Sequence, residues 1–232
     1  MDPNADISIK AERWIKEHKQ ELIQHFSDPN IFLPSEQPTS VFMAGSPGAG
    51  KTEVSKRLVE RFADQPPVRI DADEIRKLFE DYDGANAHLF QNACTIGVNK
   101  LMDYVLAKNI NFILDGTFAY AHAMKNIERC LKHRRQVVLF YLFQDPAVAW
   151  KFTKAREESE GRRLTKEVFI SSFFTAQKNV HEAKTFYQDR IELNMIIKNF
   201  HLGTDEIFSN IPSIDAFLPR RYTQEELKKI LC

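Results

Sequence analysis

The chain has 232 residues, 43% hydrophobic and 28% charged, with 32 Lys plus Arg balanced by 32 Asp plus Glu. That composition suits one α/β domain with a real core and excludes a disordered chain. A formal net charge of +0 gives no global attraction to nucleic acid or an anionic membrane, so neither is expected as a partner. Cys94, Cys130 and Cys232 are far apart and show no metal-ligand spacing; they read as reduced thiols, the first two as small core residues. The polar start Met1-Asp2-Pro3-Asn4 lacks an apolar signal core, and no stretch approaches a membrane span. The expected location is therefore the cytoplasm.

Ile15, Leu22, Ile23 and Phe26 fall on one face of an N-terminal helix, which Asp28-Pro29-Asn30 and Leu33-Pro34-Ser35 break. Thr39 to Ala44 reads as a strand feeding a Gly-rich turn and then a helix with Val54, Leu58 and Phe62 at helical spacing. Four more strand candidates are Val68–Ile70, Ile110–Leu114, Gln136–Phe143 and Leu193–Lys198. Between them, Phe90, Cys94, Leu101 and Val105 share one helix face, and Phe169, Phe173, Ala176, Val180 and Ala183 another. The run Lys132-His133-Arg134-Arg135 reads as a solvated helix end, and Thr223 with Glu226 as a capping box.

Strands alternating with helices predict a three-layer α/β/α domain, with helices on both faces of a mainly parallel five-stranded sheet. The expected division of this single domain is an N-terminal helical segment (1–38), a nucleotide-binding core (39–199) and a C-terminal segment (200–232). In such sheets, functional residues collect at the carboxyl ends of the strands. Every strand candidate here ends near a polar residue: Ser46, Asp71, Asp115, Asp145 or Asn199.

Gly45-Ser46-Pro47-Gly48-Ala49-Gly50-Lys51-Thr52 matches the phosphate-binding loop G-x-x-x-x-G-K-[ST] in full, between a strand and a helix. Glycines let backbone amides turn toward phosphate oxygens, and the helix adds its positive end. Lys51 is expected to reach the β- and γ-phosphates, and Thr52 to offer a hydroxyl to Mg²⁺. The expected cofactors are ATP and Mg²⁺. A structural alternative is a Gly-rich turn with an incidental lysine.

A GTPase would need N-K-x-D, and Asn99-Lys100-Leu101-Met102 fails at its fourth place. Asp115 at the end of Ile113-Leu114-Asp115 suits a metal-side carboxylate, as in ATPases and kinases alike. Two features favour a kinase. Asp71-Ala72-Asp73 puts carboxylates where one can accept a proton from an attacking hydroxyl. The bland alternative for Asp73 is a cap for the helix it precedes. Arg156, Arg162 and Arg163, around Gly161, suit a segment that closes over a triphosphate. Their bland reading is pairing with Glu158 and Glu160 on a solvated helix.

The ordered set Gly48–Thr52, Ile70-Asp71-Ala72-Asp73, Leu114-Asp115-Gly116-Thr117, the Arg156 helix, Arg163-Leu164-Thr165 and Lys198-Asn199 resembles the zeta toxin family of bacterial kinases, from about Thr39 to Asn199. The resemblance implies ATP-dependent phosphorylation of a sugar hydroxyl on UDP-N-acetylglucosamine or a related nucleotide sugar. It implies Asp73 as general base, with Lys51, Arg156 and Arg163 on phosphates and Asn199 near adenine. Asp71, Asp115 and Thr117 fall on the acceptor side, and Thr52 and Asp115 on the metal. It also implies an antitoxin that obstructs the nucleotide site. The chain departs from the family pattern in Asp115 for Glu, Ala119 for a basic residue, Asn99 for an acidic one, and the lack of a long C-terminal extension. Other readings are a kinase of a nucleotide, cofactor or antibiotic, and a nucleotide-gated interaction protein without phosphotransfer.

Overall fold

A computed structural model describes residues 3–62, 64–200 and 203–231. The chain begins with two helices, α1 (Pro3–Glu17) and α2 (Lys19–Phe26), where the sequence pattern suggested one. His18 interrupts them with non-helical backbone, yet Ile15 and Leu22 remain fully buried on a shared face. Then follow β1 (Thr39–Ala44), α3 (Lys51–Arg61), β2 (Val68–Asp71), α4 (Ala72–Arg76), α5 (Gln91–Ala107), β3 (Phe112–Asp115) and α6 (Ala123–Lys132). The rest comprises β4 (Gln136–Gln144), α7 (Pro146–Glu160), α8 (Lys166–Tyr187), β5 (Glu192–Asn199), β6 (Thr204–Phe208) and α9 (Gln224–Ile230).

The sheet has six strands in the order β2-β3-β1-β4-β5-β6. The five expected strands are all present and mutually parallel. The sixth, β6, is antiparallel to β5 and closes that edge. Its sequence, Thr-Asp-Glu-Ile-Phe, is short and polar and lacks the apolar run that marked the others.

Strand periodicity divides the core. On β1, Phe42 and Ala44 face a large cluster with α1, α2, α5, α6 and α8, while Met43 faces a smaller one with Val54 of α3. All nine residues assigned to the two long helix faces are buried, from Phe90 through Ala183, and Cys94 and Cys130 are buried free thiols. Cys232 lies outside the described residues. Phe62, by contrast, is 58% exposed at the end of α3.

The basic run after α6 needs one correction. Lys132, His133 and Arg134 are exposed, but Arg135 is buried. It donates to Ser40 Oγ at 2.7 Å, Thr39 O at 3.0 Å and Ile110 O at 2.5 Å, tying β1 to the start of β3. The Thr223–Glu226 capping box forms as expected. No helix among the described residues is long and apolar enough to cross a membrane.

Candidate active site

The phosphate loop joins β1 to α3 at the centre of the sheet. Gly48 adopts φ 73°, and a Cβ there would stand 2.0 Å from Ala149 O of α7. Only glycine permits both that backbone and that contact. Gly50, at φ 83°, is the N-cap of α3. Gly45 N donates to Thr117 O at 3.1 Å, which docks the loop against the end of β3. Within the loop, Ala49 N donates to Ser46 O at 3.2 Å across Pro47 and Gly48.

Lys51 is buried and donates through Nζ to Ser46 O at 2.6 Å. Burial, with help from Arg156 and against Asp115, Asp73 and Asp71, lowers its pKa to about 8. Triphosphate oxygens would favour the charged amine, so the loop holds a cation poorly compensated by its own surroundings.

Asp71, Asp73, Thr52, Arg156 and Arg162 line one cleft of about 310 Å³. Asp71, not Asp73, caps α4: its Oδ1 accepts from Asp73 N at 2.8 Å. The capping role that Asp73 might have filled is thus taken, and the Asp73 side chain turns into the cleft. Its Oδ1 accepts from Arg76 at 2.5 Å, and its Oδ2 pairs with Arg162. Burial works to raise the Asp73 pKa, but Arg162, Arg76 and Arg156 outweigh it and hold the carboxyl below its ordinary range. Asp71 goes the other way: burial and then the Asp115 and Asp73 charges push it up to about 6, against Arg69.

Asp115 ends β3 opposite Asp71 and is not part of the cleft lining. Its Oδ2 accepts from Ser55 Oγ at 2.7 Å and from Arg69 Nη2 at 2.7 Å. Among the described residues there is no group of three metal-ligating side chains. Mg²⁺ characteristically keeps waters and uses one or two protein oxygens plus phosphates. Thr52 on the cleft wall fits that pattern; Asp115, with Oδ2 engaged, has only Oδ1 to offer.

The arginines separate. Arg156 and Arg162 reach the cleft, whereas Arg163 lines a neighbouring recess with Glu157 and is 82% exposed in its side chain. Asn199 ends β5 and pairs with Thr204 of β6, outside the cleft lining. Its neighbour Lys198 packs over Gly50 and pairs with Asp205 at 2.9 Å. Thr117 is occupied structurally, its Oγ1 accepting from Ala119 N at 3.2 Å. Asn99 is exposed on α5 and accepts from Arg129 at 3.3 Å.

Sequence reading missed Lys56, Glu74, Lys77 and Tyr82 on the cleft wall. It also missed Arg69 and Arg76, which hold the carboxylates from behind. A signal existed for both. Arg69 is a charge inside a short apolar strand, two places before Asp71 on the same face. Arg76 follows Asp73 at helical i,i+3 spacing.

The fold resembles solved structures at low sequence identity. One is from work on the PezAT chromosomal toxin-antitoxin system of Streptococcus pneumoniae, with a TM-score of 0.65 at 16% identity, covering 94% of this chain and 91% of that one. Another is an AvrRxo1-ORF1:-ORF2 structure with ATP, with a TM-score of 0.61 at 13% identity, covering 89% and 67%. No curated protein shows significant sequence similarity to the chain. The profile of the family described as Zeta toxin matches residues 24–201. A phosphate loop, a strand-end carboxylate pair and cleft arginines thus stand on a kinase-like fold, and the chain belongs to the zeta toxin family.

Proposed function

We propose that the chain is an ATP-dependent kinase of the zeta toxin type, transferring the γ-phosphate to a sugar hydroxyl of UDP-N-acetylglucosamine or a related nucleotide sugar. The observation that carries this reading is that Asp73 faces the same cleft as Thr52, Arg156 and Arg162. A carboxylate that faces the cleft beside the phosphate loop is placed to accept a proton, and it has no cap to maintain.

In this reading the acceptor hydroxyl gives its proton to Asp73 as its oxygen attacks the γ-phosphorus. The bond from that phosphorus to the β,γ-bridging oxygen breaks, and ADP leaves. Lys51 turns from Ser46 O to the β- and γ-phosphates. Arg156 and Arg162 neutralise charge that builds on the transferring group. Bound with the nucleotide, Mg²⁺ would neutralise the β- and γ-oxygens, with Thr52 and Asp115 as its protein-side partners.

The toxin-antitoxin system and the ORF1:ORF2 pair named for two structural neighbours support an antitoxin-like protein partner; the family resemblance adds that such a partner would obstruct the nucleotide site. A cytoplasmic location accords with a nucleotide sugar as acceptor. The test is incubation of purified protein with MgATP and UDP-N-acetylglucosamine, followed by mass spectrometry. A UDP-sugar heavier by one phosphate is expected. Transfer only to another metabolite would replace the acceptor, and no transfer across a broad metabolite pool would remove the kinase reading.

A further inference from the structure

Asp71 and Asp115 stand directly opposite each other in the register of β2 and β3. Both carboxylates are buried. Two like charges at adjacent strand ends repel, and burial sharpens the repulsion. Arg69 lies two residues before Asp71, so its side chain leaves the same face of β2. Its guanidinium fills the gap. Nη2 donates to Asp115 Oδ2 at 2.7 Å and also to Asp71 Oδ2, and Nε donates to Ser55 Oγ at 3.0 Å. Ser55 sits on α3, one turn beyond the Lys51-Thr52 pair that ends the phosphate loop.

The connection continues beyond Arg69. The other oxygen of Asp71 accepts from Asp73 N at 2.8 Å and so sets the first turn of α4. One unbroken series of contacts therefore runs from α3 and Asp115, through Arg69 and Asp71, to the backbone of Asp73. Arg69 does not line the cleft, and its side chain is 14% exposed. It touches neither face where substrates would lie.

We propose that Arg69 is a positioning residue for phosphoryl transfer, which holds the Asp71 and Asp115 carboxylates side by side and, through the Asp71 cap, fixes Asp73 relative to the phosphate loop. The proposal rests on the reading of Asp73 as general base. A fork-shaped guanidinium suits this task because it reaches two carboxylates and a hydroxyl in one plane, which an ammonium cannot do. The groups facing Asp71 are Arg69 on its own strand, Asp115 from β3, Asp73 from α4 and Lys51 from α3. Without Arg69, no cation separates the Asp71 and Asp115 carboxylates, so the two strand ends part, the Asp71 cap on Asp73 N shifts, and Asp73 loses its fixed distance to the γ-phosphate.

The test compares Arg69→Met, Arg69→Lys and the double variant Arg69→Met/Asp115→Asn, the last removing the repulsion in case the single Met variant does not fold. In Arg69→Met, kcat is expected to fall about 10²-fold, the scale of an ångström-sized misplacement. KM for MgATP should stay unchanged. Arg69→Lys, which keeps the charge without the fork, should recover only part of kcat. Nitrogen-15 NMR of the backbone amides, with and without a non-hydrolysable MgATP analogue, should show the Asp73 N–H signal moved in Arg69→Met and returned toward its wild-type place in the double variant. Should wild type transfer no phosphate, the kinase reading fails, while the NMR comparison still decides the link between Arg69 and Asp73. An unmoved Asp73 amide overturns the proposal; so does a moved amide with unchanged kcat, or an equal loss in kcat and MgATP affinity, which reduces Arg69 to a structural role.

Discussion

Arg162 reaches back across 89 residues of sequence to pair with Asp73. The side chain proposed as proton acceptor is therefore covered, on its Oδ2, by a residue from the segment after α7. Gly161 begins that segment in left-handed backbone, at φ 73°. In the proposed reaction Arg162 would serve two anions, Asp73 and the triphosphate.

Arg162→Gln should lower the single-turnover rate more than MgATP affinity, by about 10²-fold, the scale set by losing one donor to transition-state charge. Without the Arg162 guanidinium beside it, the Asp73 pKa rises, so the acid limb of the rate profile moves up. Arg163→Ala should cost less than Arg162→Gln, because Arg163 faces the neighbouring recess. Rapid-quench comparison of the two variants decides it, and a reversed order would assign the phosphate contact to Arg163.

Asp73→Asn should keep MgATP affinity and lose about 10²–10⁴-fold in transfer. Asp71→Asn keeps a capping acceptor and should lose less. Normal turnover by Asp73→Asn alongside a dead Asp71→Asn would move the base to Asp71.

Lys51→Met should abolish productive MgATP binding without unfolding the domain. The sign of its stability effect follows from the depressed pKa. The fold prefers the neutral amine, so charging it as pH falls through about 8 destabilises the nucleotide-free protein. At pH 7 the variant should melt no lower than wild type, with any advantage shrinking as pH rises above 8. Calorimetry showing unchanged MgATP affinity would contradict the assignment.

Asp71→Asn gives a second pH test. The folded-state pKa of Asp71 is raised to about 6. Its contribution to stability is therefore present below the ordinary carboxylate range and lost as pH rises through about 6. The melting temperature of Asp71→Asn relative to wild type should climb between pH 4 and pH 7. A flat difference would mean that Arg69 compensates the charge completely.

Gly48→Ala places a methyl 2.0 Å from Ala149 O in a backbone region that L-residues avoid. The loop and α7 must part. Nucleotide binding should be lost, with a lower melting temperature, and retained affinity would show that the loop tolerates a different path.

The sheet was legible because five strands carry apolar, β-branched runs that stop at polar residues. β6 carries no such run: it is held by its backbone ladder to β5, and Ile207 is 63% exposed. The phosphate loop was legible because its spacing is set by backbone geometry alone. The partners of its carboxylates were harder. Nothing local says that Arg162 rather than Arg163 turns toward Asp73, since that choice depends on the path after Gly161. Arg135 shows the same limit, reading as one of four surface cations until β1 and β3 close around it.

The phosphate loop springs from β1, whose two neighbours, β3 and β4, both come much later in the chain: Ser40 pairs with Phe112, and Thr39 with Gln136. Each pairing closes a long stretch of chain before it returns any hydrogen bonds, so β1 is expected to join the sheet late. A nascent chain on the ribosome carries the glycines and Lys51 from early in synthesis, but no scaffold to shape them until Gln144 has emerged and docked. The proposed nucleotide site is consequently expected to be completed late in folding, and a chain stopped within α6 would hold the motif without the site.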